Sequence, residues 1–166
     1  MGALKIFTDG GCSGNPGPGG WAFVIAAAAA NAAGAPCGEN IIAEKWGGEK
    51  NTTNNRMELL AVIYALEYIR ESAQPASLSQ HAEKITVYTD SQYVQKGMTL
   101  WIQNWKLKQW RTTAKGEVKN KDLWLRLDSL ASMFSVNWVW IQGHAGNELN
   151  ERADQLTQIA IKEIMR

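Results

Sequence analysis

Cysteine is almost missing from this 166-residue chain: Cys12 and Cys37 are the only two. Two cysteines give neither a disulfide framework nor a metal-ligand spacing. The core must therefore come from burial, and a chain of this length can bury roughly 70% of its unfolded surface without staples. Histidine is as scarce, with His81 and His144 alone, so no His-rich zinc site can form. Long apolar runs are lacking too. The longest, Trp21 to Ala30, is about half a membrane span and excludes a transmembrane helix. No signal-peptide apolar region precedes Asp9, and Ile6 stands where a myristoylation signal needs Ser or Thr. A reducing cytoplasm is the expected location. With 45% hydrophobic and 20% charged residues, the composition also excludes a disordered or collagen-like chain.

Three familiar motifs are absent. No Gly-Lys-Ser/Thr marks a phosphate-binding loop. Ser13 lacks the glycine two positions later that a nucleophile elbow needs. Gly17-Pro18-Gly19-Gly20-Trp21-Ala22 fits a loose dinucleotide fingerprint, but a strand-like stretch follows where that fingerprint must open a helix.

Net charge is close to nil at +1, yet its distribution is uneven. Residues 101–121 hold six cations (Lys106, Lys108, Arg111, Lys115, Lys119 and Lys121) against Glu117. That is +5 within a +1 chain, so the remainder sums to −4. Trp101, Trp105 and Trp110 interleave with these cations. Lysines attract phosphates, and tryptophans offer flat faces to bases or sugars. A solvated helix with its tryptophans in the core accounts for charge and rings about as well.

The alternation of Leu4 to Asp9 predicts a strand, followed by a glycine-rich turn region over 10–20. Trp21 to about Ala28 and Asn40 to Trp46 read as a hairpin. Within 26–35, eight of ten residues are alanine. The tract is either a hairpin tip or a stretch where side-chain identity matters little, and it suggests no function. Asn54 or Asn55 is placed to cap a helix over Met57 to Ser72. That helix is apolar throughout from Leu59 to Leu66, as expected of one packed against a sheet. Ile85 to Asp90 forms a second strand ending Thr-Asp. Helical stretches follow around 91–111 and 120–133. Phe134 to Gln142 is another strand, with Trp138 and Trp140 on one face. Gly143 to Gly146 is a loop, and Asn150 to Met165 a final helix. The expectation is an α/β fold whose mixed sheet is flanked by helices. No internal repeat or linker divides it, so residues 1–166 are taken as one domain.

Four acids carry the chemistry in this reading. Asp9 and Asp90 each end a strand. If those strands are parallel neighbours, both carboxylates meet at one sheet edge, where open α/β sheets place their sites. Glu58 is a lone acid entering an apolar helix, and a buried acid needs a partner. Asp154 lies in the first turns of the last helix. Taken singly, Asp154 reads better as a helix cap, whereas Asp9 and Asp90 serve equally well as caps or dipole partners. Together, converging carboxylates repel one another and raise one another's pKa. Divalent cations relieve that repulsion, and an all-carboxylate site suits magnesium or manganese. Two such ions about 4 Å apart serve phosphodiester cleavage.

Six motifs occur in order: Phe7 to Gly11, Gly14 to Gly20, Thr53 to Leu59, Tyr88 to Tyr93, Gly143 to Asn147 and Asn150 to Asp154. From about residue 4 to 162 the chain closely resembles bacterial type 1 ribonuclease H. The resemblance implies a ribonuclease H-like five-stranded mixed sheet, three antiparallel strands followed by parallel ones, with helices on both faces. It implies hydrolysis of the RNA strand of RNA·DNA hybrids to 5′-phosphate and 3′-hydroxyl ends. By resemblance, Asp9 would bridge two Mg²⁺ ions, for which Mn²⁺ can substitute. Asp154 would complete the site of the ion that activates water. Glu58 and Asp90 would hold the other ion, near the leaving 3′ oxygen. His144 would shuttle protons or help product leave.

Substrate contacts follow by the same resemblance. Cys12 (through its backbone), Asn15, Asn54, Asn55 and Gln92 match positions lining the minor groove of the hybrid, where 2′-hydroxyls mark the RNA strand. Glu58 would also sense a 2′-hydroxyl. Thr53 and Asn120 match a pocket for a DNA-strand phosphate, and Trp101, Trp105 and Trp124 the channel for that strand. The segment 101–121 matches the basic protrusion of stand-alone enzymes, with Lys106, Lys108, Arg111 and Lys115 as its cations. Departures are few. The hairpin between Ile25 and Thr52 is longer than in the commonest bacterial form. Asn51 stands where some members have an arginine, although Lys50 is adjacent. No N-terminal hybrid-binding module is seen, so processivity should be modest. Cys12 is not expected to be reactive. Nothing asks for more than a monomer, a protein partner or a membrane. An integrase- or resolvase-like nuclease and a non-catalytic hybrid-binding module are the alternatives. The Asn54-Asn55 element and the basic protrusion argue against the first and the complete set of acids against the second.

Overall fold

The structure, a computed structural model, describes residues 4–72, 84–112, 116–143 and 146–166. His81, Lys115 and His144 lie outside the described residues. Five strands form one sheet in the order β3-β2-β1-β4-β5. They are β1 (Leu4–Cys12), β2 (Gly17–Ala30), β3 (Pro36–Thr52), β4 (Lys84–Thr89) and β5 (Ser135–Trp140). The first three pair antiparallel, and β1 with β4 and β4 with β5 pair parallel. The mixed sheet implied by the resemblance is thus present.

Among the described residues, five α-helices accompany the sheet: α1 (Asn54–Glu71), α2 (Gln92–Lys96), α3 (Ile102–Leu107), α4 (Lys121–Ala131) and α5 (Glu148–Met165). Alternation along the strands sorts the core into two layers. Leu4 and Ile6 of β1, with Phe23 and Ile25 of β2, pack with Met57, Leu59 and Ile63 of α1 and with Leu127 of α4. Phe7, Ala22 and Val24 point the other way and pack with Ala153 and Leu156 of α5. Phe7 stacks on Tyr88 of β4 at 4.7 Å between ring centroids. Asp9, two residues after Phe7, therefore falls on the α5 side. Gly10 falls on the α1 side.

The elements depart from the sequence-based reading in four places. The glycine-rich run is not all turn: Gly10, Gly11 and Cys12 continue β1, paired with Trp21, Gly20 and Gly19. Asp9 is therefore not the end of its strand, although it directly follows the last residue paired to β4, Thr8. The hairpin is longer than expected. The alanine tract ends β2 and forms the tip, where Asn31 Oδ1 accepts from the amides of Ala33 and Ala35 at 2.9 and 3.0 Å. Thr53, not Asn54 or Asn55, caps α1, its hydroxyl accepting from the Arg56 amide. The helix expected over 91–111 is broken. A π turn at Gly97–Trp101 separates α2 from α3, and Gln109 and Trp110 turn left-handed at φ 54° and 63°.

Candidate metal centre and nucleic-acid interface

The parallel pairing of β1 with β4 ends at Thr8 and Thr89. The next residue of each chain segment is an aspartate, so Asp9 and Asp90 emerge side by side where the parallel pairing stops. Glu58 arrives from the first turns of α1. One oxygen from each of Asp9, Glu58 and Asp90 lies within 4.8 Å of the others. Asp154, in the second turn of α5, stands beside Asp9, and the two carboxyl groups share a hydrogen bond. All four predicted acids thus meet at one end of the sheet.

Their electrostatics are unfavourable as they stand. Burial, then the charges of Asp90 and Asp154, push the Asp9 carboxyl up to about 8, while a hydrogen bond from Thr157 works in the opposite direction. Glu58 is held well above its ordinary value by burial first, then by Asp9 and Asp90. The Gly10 amide supports its charged form. Glu58 Oε2 is buried and without a hydrogen-bond partner. Among the described residues, no ion pair involves Asp9 or Glu58. A buried carboxyl group with one unpartnered oxygen, grouped with two further carboxylates, fits a divalent metal ion. Hard oxygen donors with no described lysine or arginine paired to Asp9 or Glu58 make up such a site.

Beside the acids, Asn54 Oδ1 accepts from the Cys12 amide at 2.8 Å, and the Asn54 amide donates to Asn15 Oδ1 at 3.1 Å. Cys12, Asn15 and Asn54 are thus tied together, with Asn55 exposed next to them. Burial, then the charge of Glu49, raises the Cys12 thiol above its usual range, which disfavours the reactive thiolate. Gln92 is exposed at the start of α2, next to Ser91, which caps that helix.

Thr53 and Asn120 flank a residue that the sequence reading passed over, Arg56. Its guanidinium donates to Asn120 Oδ1 at 3.3 Å and grips Asp122 at 3.1 and 3.0 Å. Asn120 Nδ2 and Trp124 Nε1 both donate to the Tyr93 hydroxyl, at 3.1 and 3.0 Å. Arg56 and Tyr93 belong to the motifs quoted above, and Arg56 is the cation nearest Asn54 and Asn55 in the chain. Those were the available signals.

The tryptophans divide. Trp101 and Trp105 are half-buried and lie 5.9 Å apart, and Trp110 is 5.9 Å beyond Trp105. Trp124 is fully buried. It presents no face to a nucleic-acid strand and instead backs Tyr93 and Trp105, at 5.2 and 5.1 Å. Its expected place in the strand channel is corrected to that of a support. Lys108 and Arg111 are exposed, whereas Lys106 is paired with Asp128 at 2.9 Å.

A family model described as RNase H matches residues 1–162. The chain is 49% identical to the ribonuclease H of Treponema denticola over 168 residues, covering 98% of this chain and 99% of that protein. It is 51% identical to the ribonuclease H of Nitrobacter hamburgensis over 155 residues, covering 93% of this chain and 89% of that protein. Among solved structures it is similar to LC9-RNase H1, with a TM-score of 0.80 at 30% identity, over 98% of this chain and 74% of that one. It is also similar to LC11-RNase H1 in complex with an RNA/DNA hybrid, with a TM-score of 0.68 at 25% identity, over 98% of this chain and 99% of that one.

Proposed function

We infer, from the premise that this chain belongs to the RNase H family, that it is an endonuclease hydrolysing the RNA strand of RNA·DNA hybrids. The products carry 5′-phosphate and 3′-hydroxyl ends. One observation carries the reading: Asp9, Glu58 and Asp90 converge within 4.8 Å, with a buried Glu58 oxygen left unpartnered.

Asp9, Glu58, Asp90 and Asp154 hold divalent metal, Mg²⁺ or Mn²⁺. By the resemblance Asp9 would be the ligand common to both ions, and the charges of Asp90 and Asp154 both bear on its carboxyl. When bound, paired ions at these carboxylates supply an activated water and stabilise the leaving 3′ oxygen. The protein's own part is placement. Cys12, Asn15, Asn54, Asn55 and Gln92 read the minor groove beside the acids, where only the RNA strand offers 2′-hydroxyls. Thr53, Arg56 and Asn120 take a DNA-strand phosphate. Trp101, Trp105 and the cations Lys106, Lys108, Arg111 and Lys115 hold the rest of that strand. His144 assists proton transfer or product release. The enzyme acts as one catalytic domain, monomeric and cytoplasmic, in keeping with the free thiols of Cys12 and Cys37. Among the described residues, no helix is long and apolar enough to cross a membrane.

The test is a cleavage assay on end-labelled RNA presented as a hybrid, a duplex and a single strand, each with Mg²⁺ and with excess chelator. Metal-dependent cutting of the hybrid alone is expected. Tight hybrid binding with no cutting would reduce the protein to a binding module.

A further inference from the structure

The parallel ladder between β4 and β5 ends at Thr89 and Trp140. One more rung follows, from the Ile141 amide to the Thr89 carbonyl at 2.9 Å. After Ile141 the chain leaves the sheet and turns at Gly143. Asp90, one of the clustered acids, follows Thr89, and because successive strand carbonyls point to opposite sides its own carbonyl is not the next rung toward β5. The donor that reaches it is a side chain: Trp140 Nε1 donates to the Asp90 carbonyl oxygen at 3.0 Å.

The same turn meets the Asp90 carboxylate. A Cβ at Gly143 would lie 2.9 Å from Asp90 Oδ2 and 3.6 Å from its Cβ. The end of β5 and the turn after it thus meet Asp90 twice, at its backbone through the Trp140 bond and at its carboxylate through the close approach of Gly143. Trp140 is 41% exposed, more than Trp138 two residues earlier, which packs on the core. Packing explains Trp138, whereas the specific contact of Trp140 is its N–H bond to Asp90.

We propose that Trp140 is a positioning residue, whose indole N–H holds Asp90 at the geometry that metal binding requires. Ligands displaced by about 0.5 Å lose productive geometry, and groups that orient metal ligands commonly set affinity by about 10-fold or more. A single hydrogen bond to the backbone of one ligand sits at the lower end of that range. The inference rests on the metal reading given above.

The experiment uses the full chain and Mg²⁺ itself. Trp140→Phe keeps an aromatic ring and removes the N–H. Calorimetric titration should show Mg²⁺ affinity weakened by about tenfold. Hybrid cleavage should lose kcat at low Mg²⁺ with KM for the hybrid unchanged, and high Mg²⁺ should restore it. Gly143→Ala, which crowds the carboxylate directly, should move the same parameters in the same direction. Leu130→Ala, in the core and away from the site, serves as a control for lost stability. Equal Mg²⁺ affinity in wild type and Trp140→Phe overturns the inference while leaving the metal reading intact. So does a loss in Trp140→Phe that Leu130→Ala reproduces. Wild type that binds no Mg²⁺ overturns both.

Discussion

Gly10 lies against the start of α1 so closely that a Cβ there would come within 2.5 Å of the Glu58 amide nitrogen and closer still to the Met57 carbonyl carbon. These are backbone atoms, which no rotamer change can move aside. The contact brings a helix on one face of the sheet within reach of an aspartate on the other.

Gly10→Ala should therefore do two things. It should destabilise the protein by about 1–3 kcal/mol, the range for overpacking a close-packed site. It should also push Glu58 away from Asp9 and weaken Mg²⁺ binding. Urea unfolding reads the first effect and calorimetric titration the second. A variant with wild-type stability and metal affinity would mean that α1 gives way freely.

Asp9→Asn should abolish cleavage by about a thousandfold or more, since it removes a charge on which several kcal/mol of metal-dependent stabilisation depends. Hybrid binding measured in chelator should persist, because the groove and basic contacts lie elsewhere. Persistent metal-dependent cleavage by this variant would sink the assignment of Asp9.

The raised Asp9 carboxyl makes metal-free stability depend on pH. In the unfolded chain an aspartate loses its proton near pH 4, whereas in the fold Asp9 keeps it up to about 8. Between those values the native state binds the extra proton, so stability falls as pH rises and levels off above the upper one. In chelator at pH 7, Asp9→Asn should therefore exceed wild type in stability by at least about 1.4 kcal/mol, the worth of one pKa unit. At pH 3 the gap should close. Urea unfolding in chelator across this range measures it, and a gap that does not change between pH 3 and pH 8 would contradict the strained cluster.

The paired Thr-Asp endings made the site legible, because alternation marks strands and a parallel pair must bring its ends together. Other features were hidden by what side chains do at a distance. Glycines at 10 and 11 read as chain breakers, yet both lie within β1. Asn54 looked like a cap, but its side chain is taken by the Cys12 amide, which leaves capping to Thr53. The π turn at Gly97–Trp101 has no period that a helical pattern would register. Trp124 could have been assigned to the core, since Leu123, Leu127 and Leu130 share its buried face. Its neighbours in the basic segment drew the other reading.

Tyr93→Phe tests the network behind the Arg56 pocket. It strips the acceptor from two donors, Asn120 Nδ2 and the indole of the fully buried Trp124. An orphaned buried donor costs about 1–3 kcal/mol, so urea unfolding should show a loss of that size. Hybrid affinity should fall further at low salt if Asn120 also loses its aim at a phosphate. An unchanged unfolding midpoint would mean that water replaces the hydroxyl.

The basic segment makes a graded prediction, because its cations are not equivalent. Lys106 is already neutralised by Asp128 at 2.9 Å, and Lys121 is paired with Glu117 at 3.6 Å. Lys108 and Arg111 are exposed, and neither takes part in an ion pair among the described residues. Counterion release scales with the number of phosphates neutralised, so each phosphate given up should flatten the plot of log affinity against log salt by about 0.7–0.9. Replacing Lys108 and Arg111 together by Ala should remove more slope than Lys106→Ala alone. Adding Lys106→Ala and Lys115→Ala should weaken hybrid binding further at low salt and little at high salt. Hybrid affinities of these variants across a salt series decide the matter. A slope equal to wild type in the fourfold variant would remove this segment from the interface and leave its tryptophans as core supports.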